Sequence, residues 1–85
     1  MQVGVQWADT MGPHAVIDYY TWGWDPALDV IWMIVPTTPT PGGPQVEWDV
    51  GVERSSVSAV TYHITVTNLT GSTTGIEGRF GILNA

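Results

Sequence analysis

The chain has no cysteine, no lysine and only two arginines, Arg54 and Arg79. Without cysteine there is no disulfide, no thiolate nucleophile and no zinc-thiolate site; the compartment stays open, because extracellular domains can do without bridges. Without lysine there is no Schiff base and no phosphate-loop ammonium group, and no serine sits in a GxSxG elbow. Two bases against eight acids leave a net charge of −6. Nucleic acid and anionic membrane surfaces are therefore excluded as partners, since non-specific binding to either needs clustered Lys and Arg. Long apolar runs are missing too. The longest, Val30 to Val35, has six residues, against the roughly 20 that span a bilayer. The opening MQVGVQWADTMGPH has no basic region and no apolar run, so no signal peptide is expected. The chain reads as a cytoplasmic protein or as a mature extracellular domain.

What is present is apolar and uncharged. Hydrophobic residues make up 44% of the 85 positions and charged residues 12%, where an average domain carries about 25% charge. Such a surface must be finished with Thr, Ser, Gln and Gly, which suits β structure or a subunit interface better than a helical bundle. A chain this short makes one domain, expected over 1–85, and buries roughly 60–65% of the surface its unfolded form exposes.

Alternation with period two marks the strands. Residues 45–53 set Val46, Trp48, Val50 and Val52 against Gln45, Glu47, Asp49, Gly51 and Glu53. Residues 59–67 set Val60, Tyr62, Ile64 and Val66 against Thr61, His63, Thr65 and Thr67. The short link from Arg54 to Ser58 predicts that these two strands are antiparallel neighbours. Residues 2–7 put Val3, Val5 and Trp7 on one face. Residues 74–83 align Ile76, Gly78, Phe80 and Ile82, and a glycine inside a strand marks a bulge or a close approach of backbone.

Residues 19–36, YYTWGWDPALDVIWMIVP, hold three of the five tryptophans. Val16, Asp18, Tyr20 and Trp22 form one row, with Trp24 continuing it past Gly23, opposite Ala15, Ile17, Tyr19 and Thr21. After the Asp25-Pro26 turn, Leu28, Val30, Trp32 and Ile34 lie opposite Asp29, Ile31, Met33 and Val35. Asp25 and Pro26 could also open a helix, but the β-branched content and Pro36 favour a strand. Six strands at about ten-residue spacing predict an all-β, antiparallel β-sandwich of about six to seven strands.

The segment Tyr62-His63-Ile64-Thr65-Val66-Thr67-Asn68 resembles the penultimate strand of immunoglobulin-like and fibronectin-III-like sandwiches, which run Tyr-x-Cys/Val-x-Val-x-Asn. The resemblance implies a corner in which the Tyr62 hydroxyl bonds to backbone a few residues upstream. It also implies that Ile64, at the cysteine position of antibody domains, packs on a core tryptophan, either Trp32 or Trp48. More loosely, the chain is similar to short bacterial β-modules to which no activity attaches.

No constellation of catalytic spacing is present. The acids are scattered over strands and loops, and the two histidines show neither HxH nor HExxH spacing. The expectation is a non-catalytic module without metal or cofactor; Asp25 and Asp29, bracketing a turn, are the one pair that could contribute to a calcium site. His63, among outward threonines, reads as a sheet-surface residue. Asn68-Leu69-Thr70 spells a glycosylation acceptor but reads more simply as a turn.

Two function classes compete. In the first, Ile31, Met33 and Val35 form a second apolar face that an 85-residue sandwich has little means of covering, so the chain self-associates or binds a protein partner. In the second, Tyr20, Trp22, Trp24, Asp18 and Asp25 form a platform for carbohydrate, and the chain is a small lectin.

Overall fold

The computed structural model describes residues 1–85. It is all-β, with six antiparallel strands in two three-stranded sheets and no helix. The strands are β1 (Gln2–Met11), β2 (Val16–Trp24), β3 (Val30–Pro36), β4 (Val46–Ser56), β5 (Ala59–Asn68) and β6 (Thr74–Ile82). One sheet has the order β1-β6-β3 and the other β2-β5-β4. The arrangement is sandwich-like: Met11, Trp32, Ile34 and Ile76 of the first sheet meet Val60, Tyr62, Ile64 and Val66 of the second in a common core. No helix is long and apolar enough to cross a membrane.

Only β4 and β5 form a hairpin, turning through Val57 and Ser58, as the short link between them predicts. Every other connection crosses from one sheet to the other, so the two central strands, β5 and β6, are the chain's last two. Their inner rows are the most deeply buried. Ile64 and Val66 are fully enclosed and Ile76 nearly so, as expected from strict alternation.

Two β-bulges reverse the alternation elsewhere. In β1 the ladder with β6 runs Val5–Arg79 and then Trp7–Gly78, leaving Gln6 as the extra residue. Val3 and Val5 consequently face out while Trp7 turns in, correcting the expectation that all three share a face. The inward indole lies flat against β6 at Gly78, where even a Cβ would come within 2.4 Å of its ring. That close approach explains the glycine in the β6 core row. In β2 the ladder with β5 slips between Thr21 and Trp24, where Gly23 takes φ +79°. A left-handed residue there is inexpensive only for glycine. The slip sends Trp22 outward and Trp24 inward, so these two do not continue one row.

Inside, Trp24 packs edge-on against Trp32, Phe80 and Tyr62 at ring-centroid distances of 5.6, 5.5 and 6.2 Å. Its indole N–H donates to the buried Thr21 hydroxyl. Such edge-to-face pairs add to the stabilisation that burial alone gives. Of the two candidate core tryptophans, Trp32 is the buried one and Trp48 is only half-buried. Tyr62 lies 5.7 Å from the Trp32 ring, but its hydroxyl makes no backbone hydrogen bond, so the corner implied by the immunoglobulin-like resemblance is not formed.

The β4 strand departs from expectation at one end. Val50 and Val52 share the inner face with Ile64 and Tyr62, their cross-strand partners, yet they are 41% and 67% exposed. Their partners Ile64 and Tyr62, and Val60 beyond them, are buried on the central strand β5, so the core ends laterally at β5 and the edge strand β4 is left uncovered over this stretch.

Asn68 holds the opposite end together. Fully buried, its side-chain amide donates to the carbonyls of Gly12 at 3.0 Å and Ser72 at 2.9 Å, with a longer contact to Met11. Its oxygen accepts from the Thr70 N–H and hydroxyl. One side chain thus ties the β1–β2 turn to the β5–β6 loop. The nitrogen to which a glycan would attach is therefore committed to internal hydrogen bonds. The β1–β2 turn itself has Pro13 at its second position and His14 at its third with φ 55°, closed by Ala15 N–H to Gly12 O at 3.1 Å. This is the pattern of a type II turn, in which the third position favours glycine.

Candidate functional site

Six of the eight predicted site residues fall on two surfaces, and Trp24 and Asp25 on neither. On the outer face of β1-β6-β3, Ile31 and Met33 stand 48% and 51% exposed. Val35 continues their row, opposite Glu77, and is half-buried. Facing them across β6 are Val3 and Val5 from β1, 70% and 54% exposed, which the β1 bulge turned outward. Between the rows runs Gly81, paired to Val3 on one side and Ile31 on the other. Lacking a side chain there, β6 becomes the floor of a shallow apolar groove of about 480 Å³. The one charged side chain lining the groove is Arg79, which bonds to Glu77 at 2.8 and 3.0 Å. Val3, Val5 and Gly81 were not anticipated here, because the alternation of 2–7 runs on through Trp7 and puts the valines on the same face as the tryptophan.

The second surface lies at the other edge of the molecule, where β1 and β2 run as free edges of different sheets. Residues 6–9 and 18–22 form the walls of a cleft of about 450 Å³. Its apolar side is the stacked pair Trp7–Tyr19, 4.9 Å apart. The Tyr19 hydroxyl donates to Asp9 at 2.7 Å, and the Thr10 N–H reaches the same carboxylate at 2.8 Å. These two bonds, led by that from Tyr19, hold the Asp9 carboxyl below its ordinary titration range. Burial, reinforced by the Asp9 charge, raises the Tyr19 phenol far above its ordinary value.

At the rim stand Tyr20 and Trp22, 63% and 71% exposed, with ring centroids 5.8 Å apart. Beyond them the outer face of β2-β5-β4 continues with His63, whose ring lies 6.3 Å from Tyr20 and whose Nε2 is 2.6 Å from Glu53. Asp18 accepts the Thr65 hydroxyl at 2.7 Å through one oxygen. The structure therefore brings Asp18, Tyr20 and Trp22 together and separates the other two platform residues from them. Trp24 is in the core. Asp25 caps its own turn, accepting the Ala27 N–H at 2.9 Å, and neither residue lines the cleft.

The Asp29 backbone N–H donates to Asn84 at 2.8 Å. No group of three or more His, Asp or Glu side chains is gathered as a metal ion would require. Gln6, on the cleft wall, was missed because only the pairing with β6 identifies it as the bulged residue.

No family model, curated protein or solved structure matches this chain.

Proposed function

We infer that the chain is a non-catalytic assembly module, an immunoglobulin-like sandwich that associates with a second copy of itself through the outer face of β1-β6-β3. The observation that carries this reading is the contiguous patch of exposed Val3, Val5, Ile31 and Met33 around Gly81, a groove whose one charged lining side chain, Arg79, is paired with Glu77. Isolated exposed hydrophobic residues are ordinary, but a contiguous apolar patch marks an interaction site. The immunoglobulin-like kinship rests on the Tyr62–Asn68 pattern and the buried Trp32.

Two further features support self-association. Only 15 of 85 residues are buried, so the interior is small and covering a second apolar face adds substantially to stability, at about 25 cal/mol per Å². In addition, β3 is an edge strand with no charged residue, whereas β4, the neighbouring free edge in the other sheet, carries Glu47, Asp49, Glu53 and Arg54. Charged side chains are the usual guard against edge pairing, and β3 has none. A standard interface takes about 800 Å² per partner, roughly one sixth of the 5077 Å² surface here.

Sedimentation at micromolar concentration is the test. A defined oligomer is expected, and Met33→Glu should dissociate it with the β-sheet circular dichroism unchanged. A clean monomer across that range overturns the reading.

A further inference from the structure

The cleft between β1 and β2 shares only β1 with the apolar face, Gln6 following Val5, and has a different chemistry. Its walls combine an apolar floor, two exposed aromatic rings and unsaturated hydrogen-bonding groups. Binding sites for small polar molecules have this composition: concave, largely apolar, with a few oriented polar groups. Trp22 takes no part in the core. Trp24 fills the core position at that end of β2, and the bulge at Gly23 leaves Trp22 outside with 71% of its surface exposed.

The aromatic faces are negative at their centres and attract the weakly positive C–H bonds on the flat side of a pyranose ring. Burying that side also removes apolar surface from water on both partners. Beside the rings, the Gln6 amide offers a donor and an acceptor, and the Asp18 oxygen that Thr65 leaves free offers a further acceptor, suited to sugar hydroxyls. Asp9 is ionised at neutral pH, its carboxyl held down by Tyr19 and Thr10. With Asp18 alongside and no base lining the cleft, sulfated, phosphorylated and uronic ligands are repelled.

We propose that this cleft binds a neutral oligosaccharide, with successive sugar rings stacked on Trp22 and Tyr20 and hydroxyls bonded by Gln6 and Asp18. An extended peptide adding to the free edge of β2 is the competing occupant of such a slot. It fits less well, because the bulge at Trp22-Gly23 breaks the ladder over the end of β2 where the rings stand. The site is independent of the assembly face, and either can fail without the other.

The test is a heteronuclear NMR titration of the full chain with cellohexaose, mannohexaose and N-acetylchitohexaose, each to roughly 5 mM, the range for weak single-site binding. At least one of these should move the Trp22 indole signal while leaving those of Trp24 and Trp32 in place. Trp22→Ala should weaken that binding about tenfold or more, as loss of an aromatic anchor does. Trp22→Tyr, which keeps a ring, should retain most of it, and Met33→Glu should leave it unchanged. An unmoved Trp22 signal with all three sugars overturns the proposal. So does binding that survives in the Trp22→Ala, Tyr20→Ala double variant. A lysine-rich extended peptide that moves the Trp22 signal where no sugar does overturns it in favour of strand addition.

Discussion

The two outer faces of this molecule are built on the same pleat and finished in opposite ways. Over β2-β5-β4 the outward positions are mostly threonines, His63, Asp18, Glu47, Asp49 and Glu53, with Val16, Tyr20 and Trp22 along the β2 edge. Over β1-β6-β3 they are Val3, Val5, Ile31 and Met33, with a single self-neutralised ion pair. A two-layer sandwich alone in water requires both outer faces to be wettable, and only one of these is. The acids of the first face also keep two copies from stacking through it, since like charges brought together repel. The difference assigns the faces different roles: burial against a second copy for one, solvent and a small polar ligand for the other.

The strongest way to break the comparison is to remove what holds both sheets in place. Asn68→Ala removes a fully buried side chain whose hydrogen bonds tie the β1–β2 turn to the β5–β6 loop, and it leaves the Thr70 N–H without its acceptor. It should cost about 3 kcal/mol, a fall in Tm of roughly 12–24 °C for a domain of this size. Thermal unfolding of the variant checks it, and both faces should lose their properties together. Next comes Met33→Glu, which makes one outer face resemble the other; the oligomer should dissociate while Trp22-centred ligand binding persists.

A smaller effect is expected of His14→Gly, which relieves a left-handed backbone at the turn joining the sheets. It should raise stability by about 1 kcal/mol and leave both faces unaltered by denaturant titration and sedimentation. Tyr19→Phe removes the bond that depresses the Asp9 carboxyl. An unfolded aspartate titrates near 3.9, so the stability this bond gives is complete above that pH and is lost as pH falls through the lowered folded value. The variant should therefore be less stable than the parent by a fraction of a kcal/mol at neutral pH and equal to it in strong acid, as urea titrations at the two pH values will show. Least of all, Trp22→Thr should change stability by no more than about 0.5 kcal/mol and leave the oligomer intact, because its indole contributes to neither the core nor the assembly face.

Much of this was legible in the residues. Wherever alternation ran unbroken and the strand was central, as in β5 with Val60, Tyr62, Ile64 and Val66, pattern and burial agree. The division of β3 into an inner Trp32, Ile34 row and an outer Ile31, Met33 row was legible for the same reason. The platform was half legible: Asp18, Tyr20 and Trp22 are neighbours on one face, whereas Trp24 was misplaced by the single residue that the Gly23 bulge inserts. Val3 and Val5 were misread in the same way through Gln6. Val50 and Val52 were misread for another reason, since a strand's pattern says which side faces the core but not how far the opposite sheet reaches.

The sequence by itself determined that the chain is all-β, that six strands form and where most of them lie, and that the surface is acidic and free of lysine. These are local properties of period, turn residues and composition. Only the tertiary structure decided which strands are central and where the bulges fall. Those decisions turned Val3 and Val5 out and Trp7 in across the slip in β1, and Trp22 out and Trp24 in across the slip in β2. A bulge exists only relative to a partner strand, and the partners of β1 and β2 lie tens of residues away. The phase of a strand is local, but its reversal is a property of the pair.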